Sequence, residues 1–279
     1  MSLKGIAKET LAILEAGTYV SPSGAERSIA GAQAAALAGT RLITPAEGAD
    51  LLARPGSDGP PPTLSVANER AQEAAQRMAA DGRVLLLNFA SARNAGGGFV
   101  NGAKAQEEDI ARCSGLVPCL LRQPAYYEAN RSDPSPLYTD HVIYSPGVPF
   151  FRVRSRTRIE HPFVADIITA PAPNAGVARR RGIPEDVIEQ TLVRRAGIVL
   201  ALAQDVGARR LLLGAWGCGV FQNDPRVCAR TFVALLHSAR FAGAFDTVHF
   251  AVLDRGKKAT LAAFEAAVGQ RDHGDRSRS

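Results

Sequence analysis

Apolar runs that fit β-strands alternate with amphipathic segments that fit helices along most of this chain. Two of the runs, at 84–87 and 211–213, are continuously apolar, as expected of central strands covered by helices on both faces. From residue 63 onward the predicted strands lie at 63–66, 83–90, 163–170, 209–214 and 247–253. The predicted helices lie at 68–80, 106–121, 184–205, 225–240 and 257–268. This alternation predicts a layered α/β fold.

The residues before this domain are predicted to form an N-terminal extension, 1–62, that packs on it. Segments 3–16 and 24–38 have the Ala, Leu and Ile spacing of two short helices, and the Pro- and Gly-rich stretch 54–62 predicts a loop. The main domain is predicted at 63–269. The polar segment 270–279 is predicted to be a disordered tail.

The composition predicts a soluble globular protein and indicates the charge of its partner. The chain has 279 residues, of which 46% are hydrophobic and 22% charged, enough for a substantial core. Since no apolar run approaches the roughly 18 residues of a membrane span and the N-terminus lacks a secretory signal, we expect a cytoplasmic protein. The net charge of +6 favours a polyanionic partner, but charge alone does not choose between nucleic acid, a membrane surface and another polyanion.

The cysteines give no sign of a metal or redox site. The chain has four of them, without C-x-x-C spacing and without an H-E-x-x-H partner, so neither structural zinc nor a redox pair is predicted. We interpret them as buried thiols and expect neither a metal nor a cofactor. They are Cys113, Cys119, Cys218 and Cys228.

A glycine loop followed by acidic residues is the strongest chemical signal in the chain. Three consecutive glycines follow the predicted strand 83–90, and two glutamates open the next predicted helix. Glycines leave backbone N–H groups free to converge on phosphate or to pack against a sugar, and a nearby carboxyl group can act on that ligand. Asn101 lies between them, as either a turn residue or a contact to a hydroxyl. The candidate substrate-binding residues here are Gly96, Gly97, Gly98, Asn101 and Gln106, and the candidate catalytic residues are Glu107 and Glu108.

Two common nucleotide motifs do not fit this loop. A P-loop requires a lysine where Ala103 stands, and the dinucleotide fingerprint requires a glycine at the position of Asn101. Without the glycines, the two glutamates would be interpreted as first-turn acids that only complement the helix dipole.

A second glycine loop follows the predicted strand 209–214 and precedes a helix that begins near Pro225. Because ligands bind at the carboxyl ends of strands in open α/β sheets, the two loops are predicted to flank one cleft. Free N–H groups and a helix N-terminus suit a diphosphate at the second loop. The candidate substrate-binding residues here are Gly217, Cys218, Gly219, Val220, Phe221 and Asn223.

The spacing of the first loop resembles a known signature. Three glycines, seven residues and then Gln-Glu-Glu are similar to the motif of poly(ADP-ribose) glycohydrolases, and the surrounding sequence resembles their bacterial branch. The resemblance covers roughly residues 63–268. It implies a macrodomain-like three-layer α/β/α sandwich with a mixed, largely parallel central sheet, to which the helical extension is added.

The resemblance also implies residue roles. It assigns the acid role to Glu108 and the positioning of a ribose to Glu107. It places Phe221 over the ribose next to the cleaved bond, whereas we interpret Trp216 as packing. The implied reaction is hydrolysis of ribose–ribose O-glycosidic bonds, mainly at chain ends, without a metal or cofactor. The implied partners are poly(ADP-ribose), ADP-ribose and poly-ADP-ribosylated proteins, in the reversal of ADP-ribosylation and the DNA damage response.

Other functions stay open at this point. A non-catalytic ADP-ribose reader would use the same cleft, but it gains nothing from an acid beside the anomeric carbon. A hydrolase of mono-ADP-ribose linkages fits the same fold. A nucleic-acid-binding protein with incidental glycine loops is suggested only by the basic charge, so nucleic acid is not expected to be the main ligand.

Alternating arginines between 152 and 158 predict one strand with all its arginines on one face. They are Arg152, Arg154, Arg156 and Arg158. One interpretation is a solvated edge-strand face that discourages aggregation. The other is a track for the phosphates of the polymer, supported by the basic run 179–181.

Overall fold

The computed structural model describes residues 1–256 and 258–275. In chain order the strands are β1 (Thr18–Val20), β2 (Glu26–Ser28), β3 (Arg41–Ile43), β4 (Thr63–Ala67), β5 (Leu85–Phe89), β6 (Val142–Arg154), β7 (Thr157–Ala170), β8 (Arg210–Gly214) and β9 (Thr247–Ala251). The helices are α1 (Leu3–Ala16), α2 (Ala30–Gly39), α3 (Pro45–Ala53), α4 (Ala71–Ala80), α5 (Gln106–Cys113), α6 (Leu116–Leu121), α7 (Pro124–Ser132), α8 (Ala175–Arg180), α9 (Glu185–Asp205), α10 (Pro225–Leu236) and α11 (Ala259–Asp275). No helix of the described residues is both long enough and apolar enough to cross a membrane.

These elements group into two units, each made of separate chain segments. The first consists of Met1–Thr44, Gln72–Pro134 and His141–Pro171. The second consists of Pro45–Ala71, Ser135–Asp140 and the described residues from Ala172 onward.

Strands of the first unit follow the order β3–β6–β7–β5. β6 pairs antiparallel with both β3 and β7, and β5 pairs parallel with β7. Leu85, Leu86 and Leu87 of β5 are almost fully buried, as their continuous apolar run predicts. In the second unit the order is β8–β9–β4, and both pairs are parallel. The predicted α/β class with a mixed, largely parallel sheet is therefore confirmed.

The predicted helix 106–121 is two helices, because the chain changes direction at Ser114 and Gly115. The Ser114 hydroxyl donates to the carbonyl of Ile110 (2.8 Å), and the Gly115 N–H donates to the Pro149 carbonyl (2.9 Å). A Cβ atom on Gly115 would overlap the side chain of Gln33. The close approach of another segment thus ends α5 and starts α6 in a new direction.

The N-terminal extension begins as predicted and then differs. α1 has the predicted bounds, and Ala7 packs with Phe99, Ala111 and Val117 in one buried cluster. The predicted helix 24–38 starts later, since β2 occupies its first turn and α2 begins at Ala30. β3 joins the extension to the sheet through β6.

At the other predicted boundaries, the stretch 54–62 contains neither helix nor strand, which confirms the predicted loop. α11 continues to Asp275 and includes the first residues of the predicted tail. Residues 276–279 of that tail lie outside the described residues.

The prediction of one strand across 152–158 is wrong. β6 ends at Arg154, the chain turns, and β7 begins at Thr157, so that Arg152 pairs with Arg158 across a hairpin. Arg152 is buried, where its guanidinium donates to Thr10 Oγ1 (2.8 Å) and to the Arg112 carbonyl (2.9 Å). Neither a solvated edge face nor a phosphate track describes Arg152, because a buried and internally bonded guanidinium supports the fold.

Candidate active site

The first glycine loop turns sharply beside α5. Gly96 and Gly97 have φ angles of 70° and 58°, the left-handed region that favours glycine. A 3-10 helix, Phe99–Asn101, follows and leaves Asn101 exposed. A Cβ atom on Gly97 would overlap Glu108 Oε1 and would come within 3.1 Å of Glu107 Oε2. A side chain at this position would therefore displace the Glu108 carboxyl group.

Glu108 is held by one oxygen and not by the other. Its Oε1 accepts a hydrogen bond from the Gly98 N–H (2.9 Å), and the residue is only 8% exposed. Its Oε2 is buried and has no hydrogen-bond partner among the described residues. The N–H donor stabilises negative charge on Oε1, so a proton carried by this carboxyl group belongs on Oε2.

Glu107 is buried more deeply and has two donors. The Ser91 N–H donates to Oε2 (2.7 Å), and Asn88 Nδ2 donates to Oε1 (3.3 Å). Burial raises its pKa, the donors at Ser91 and Asn88 lower it, and the neighbouring Glu108 raises it again. Burial prevails and raises the pKa of Glu107 from 4.5 to about 8. Glu107 therefore keeps its proton at neutral pH.

Gln106 joins α5 to β5 through its side-chain amide. Its Oε1 accepts from the Phe89 N–H (2.8 Å), and its Nε2 donates to the Leu87 carbonyl (2.9 Å). Both ends of the amide are engaged with the backbone of the strand. This pair of bonds sets the position of the first turn of α5 along β5.

The far end of α5 is held by Arg112, which is fully buried. Its guanidinium donates to Ser155 Oγ (3.0 Å), to Asp109 Oδ1 (3.2 Å) and to the Phe99 carbonyl (3.4 Å). The same residue therefore contacts the helix, the β6–β7 turn and the segment after the glycines. The sequence does not predict this network, because an arginine on a predicted helix gives no sign of burial.

The second loop closes on itself. Gly217 has φ 74°, and a Cβ atom there would lie 2.5 Å from Asn223 Nδ2. Asn223 is buried, and its Nδ2 donates to the carbonyls of Pro173 (2.9 Å) and Gly217 (3.0 Å). Between them, Cys218 is half-buried, and Gly219 and Val220 are exposed. Asn223 thus links the two ends of the loop.

The aromatic residues of this loop differ in burial. Trp216 is fully buried and its ring lies 6.0 Å from that of Phe232, which confirms its packing role. Phe221 is half-buried, and its ring centroid lies 5.7 Å from that of Tyr138. No pattern in the sequence indicates a role for Tyr138.

Three of the cysteines, Cys113, Cys119 and Cys228, are buried as predicted, and Cys218 is partly exposed. The thiols of Cys218 and Cys228 both contact the Trp216 carbonyl, at 3.7 and 3.4 Å. Hydrogen bonding with Cys218, together with burial, raises the pKa of the Cys228 thiol. Within 1–256 and 258–275, no group of three or more His, Cys, Asp or Glu side chains is arranged to hold a metal ion.

The structure brings together Gly96, Gly97, Gly98, Gln106, Glu107 and Glu108 in the first unit. Gly217, Cys218, Gly219, Val220, Phe221 and Asn223 share one loop of the second. The residues that hold Glu107 were missed, although Asn88 does interrupt the apolar run of β5 and offered a signal. Ser91 offered none, since it acts through its backbone.

Comparison with known proteins gives consistent similarities. The family described as microbial-type PARG, catalytic domain, matches residues 7–153, so the match includes most of α1. A crystal structure of poly(ADP-ribose) glycohydrolase (PARG) from Thermomonospora curvata is 45% identical, with 95% of this chain and 98% of that chain covered and a TM-score of 0.89.

Two liganded structures are also similar. The T. curvata enzyme bound to the inhibitor ADP-HPD is 43% identical, with coverage of 96% and 98% and a TM-score of 0.87. The PARG of Deinococcus radiodurans in complex with ADP-ribose is 44% identical, with coverage of 86% and 97% and a TM-score of 0.80. No curated protein matches the chain.

Proposed function

The chain belongs to the microbial-type poly(ADP-ribose) glycohydrolase family, and we propose that it releases ADP-ribose from poly(ADP-ribose) with Glu108 as general acid and base. The observation that carries this assignment is the asymmetry of the Glu108 carboxyl group. One oxygen is bonded to the Gly98 N–H, and the other is buried without a partner among the described residues.

In the proposed reaction, Oε2 of Glu108 carries the proton when the anionic substrate is bound. It gives this proton to the leaving 2′-oxygen as the bond to the anomeric carbon breaks through an oxocarbenium-like state. The carboxylate then accepts a proton from the water that attacks the anomeric carbon, which restores the acid. One carboxyl group thus serves both steps, unlike the opposed pair of most glycosidases.

Glu107 is proposed to hold a ribose hydroxyl. Its burial and its raised pKa support a neutral carboxyl group, which can both donate and accept a hydrogen bond. Asn88 and Gln106 are proposed as positioning residues, because the Asn88 amide contacts Glu107 and both amide atoms of Gln106 bind the β5 backbone.

The Gly217–Asn223 loop is proposed to bind the diphosphate through backbone N–H groups at Gly217, Gly219 and Val220, with Phe221 over the ribose. The Cys218 N–H already donates to the Ala215 carbonyl (3.2 Å), so Cys218 is proposed to contact the substrate by other atoms. The exposure of Gly219 and Val220 supports this role, since a ligand can approach their backbone. Asn101 stays a candidate contact to a hydroxyl. We further propose action mainly at chain ends, on poly-ADP-ribosylated proteins in the cytoplasm.

Replacement of Glu108 tests the assignment. Glu108→Gln keeps the shape of the side chain but cannot supply the proton, so we expect kcat on poly(ADP-ribose) to fall by at least about 100-fold. Binding of ADP-ribose, measured by calorimetry, should be retained. Glu128→Gln removes an exposed glutamate of α7 and should leave turnover unchanged. Turnover by Glu108→Gln near the wild-type rate would show that Glu108 is not the acid.

A further inference from the structure

The segment Ser135–Asp140 places an aromatic residue in an unfavourable backbone conformation. Tyr138 has φ 61°, a left-handed conformation that bulky residues rarely adopt. Backbone conformations of this kind persist where the surroundings enforce them, and they concentrate at functional sites. The contacts of the Tyr138 backbone and of its ring therefore indicate what this conformation serves.

A buried arginine binds the backbone of this segment. Arg195 of α9 is fully buried, and its Nη2 donates to the carbonyls of Leu137 (3.0 Å) and Tyr138 (3.1 Å). Its Nε donates to Asp140 Oδ1 (2.9 Å), and Arg194 binds the other oxygen of Asp140 (2.7 Å). Burial alone would raise the pKa of Asp140, but the two arginines prevail and lower it, so the carboxylate stays charged.

The Tyr138 ring packs on Phe221. The ring planes are inclined at 47° with their centroids 5.7 Å apart, a favourable aromatic geometry. The backbone of Phe221 is held separately, because the Gly176 N–H donates to the Phe221 carbonyl (3.0 Å). Arg179 Nη1 donates to the carbonyl of the next residue, Gln222 (2.8 Å). These bonds hold the backbone of Phe221 and Gln222, and the Phe221 side chain contacts the Tyr138 ring.

We propose that Tyr138 is a positioning residue of the reaction: Arg195 binds its backbone carbonyl, and its ring fixes the Phe221 ring in the orientation that receives the substrate ribose. The inference rests on the proposed function, in that Phe221 contacts the ribose. Arg195 is fully buried and binds two carbonyls at the left-handed Tyr138, which stabilises the backbone that carries the ring.

Two variants separate the ring from the backbone. Asparagine tolerates the left-handed region, so Tyr138→Asn removes the ring while the backbone conformation stays accessible. Tyr138→Phe keeps the ring and removes only the hydroxyl. We expect kcat/KM on poly(ADP-ribose) to fall by about tenfold in Tyr138→Asn and by less than about twofold in Tyr138→Phe. Equal loss in both variants would contradict a role of the ring.

A double-mutant cycle with Phe221→Ala tests whether Tyr138 acts through Phe221. In the Phe221→Ala background, Tyr138→Asn should change kcat/KM by less than about twofold, because there is no ring left to position. Tyr19 provides a matched control, since its ring packs on Phe151 in the first unit at 6.0 Å. The effects of Tyr19→Leu and Phe221→Ala should multiply. If those of Tyr138→Asn and Phe221→Ala also multiply, the proposal is wrong.

ADP-ribose affinity, measured in the same variants, distinguishes this inference from the proposed function. Coupling of Tyr138 and Phe221 in ADP-ribose binding, with no polymer hydrolysis by the wild-type protein, would support the positioning of Phe221 by Tyr138 for ligand binding. It would reject the function and, with it, a role of Tyr138 in the reaction. Polymer hydrolysis without such coupling would reject the inference alone. Circular dichroism of each variant confirms that the comparison is made on folded protein, and Tyr138→Phe preserves the packing if Tyr138→Asn does not fold.

Discussion

Gly97 lies between the two carboxyl groups of the site, and its missing side chain is what allows them to approach. A methyl group there would overlap Glu108 Oε1, which is the far end of a side chain and can be displaced. The Gly98 N–H that binds this oxygen belongs to the next residue of the same turn. The position of the Glu108 carboxyl group therefore depends on the absence of a side chain at Gly97.

Gly97→Ala should reduce activity more than stability. With φ at 58°, an alanine costs about 1–2 kcal/mol of folding free energy. The displaced carboxyl group should lower kcat on poly(ADP-ribose) by about 100-fold, the scale of a 1 Å misplacement. Denaturant unfolding and turnover measure the two effects.

The matched control is Gly31→Ala in α2, where a Cβ atom meets nothing within 4 Å. This change should stabilise the protein slightly, because alanine is the better helix former, and should leave turnover unchanged. If the two alanine variants have the same activity, contact with Gly97 does not position Glu108.

Among the elements, β6 could not be predicted over its full length, because it contains residues that usually end strands. Pro146 and Gly147 lie within it, and the pairing with β7 shifts register between Ser145 and Val148. A β-bulge accommodates a proline and a left-handed glycine that an unbroken ladder would exclude. The arginine pattern after it was then assigned to one strand, because alternation is the same on both sides of a two-residue turn.

Replacement of Arg152 tests the corrected role of this hairpin. Arg152→Met should lower the free energy of unfolding by about 3 kcal/mol, since it removes a buried cation that binds Thr10, Glu9 and the Arg112 carbonyl. Arg156→Met, at the exposed turn, should change it by less than about 0.5 kcal/mol. Chemical denaturation of both variants provides the comparison, and equal effects would contradict a buried role for Arg152.

At the scale of the whole chain, alternating periodicity was sufficient for the α/β class but not for the division into units. Segment Pro45–Ala71 belongs to the second unit although first-unit segments precede and follow it. A linear boundary at residue 62 cannot describe such an arrangement, because contacts between distant segments decide it. The same limit applies to Asn88, Arg195 and Tyr138, whose partners are remote in sequence.

The free energy of unfolding should depend on pH because of the raised pKa of Glu107. The folded protein keeps this proton up to a pH of about 8, whereas an ordinary glutamate releases it near 4.5. The stabilising contribution is therefore complete below pH 4.5 and is lost as the pH rises through about 8. Relative to Glu107→Gln, which does not titrate, the wild-type protein should lose on the order of a few kcal/mol between about pH 5 and pH 9.

Denaturant unfolding at several pH values measures this difference. The control is Glu128→Gln, which keeps Glu107 and should show the pH dependence of the wild-type protein. A constant offset between Glu107→Gln and the wild type would mean that the folded protein does not hold the extra proton.

The two bonds between the Gln106 amide and β5 have a consequence for the choice between two identical side chains. Glu107 and Glu108 are adjacent, so a shift of the helix by one residue would bring Glu107 to the Gly98 N–H and move Glu108 to the place of Asp109. The different roles proposed for the two glutamates therefore depend on the register of α5 against β5. Gln106, one position before Glu107, sets this register through its two bonds to the β5 backbone. An enzyme of this family that keeps both glutamates but lacks this glutamine would lose the placement on which its chemistry depends.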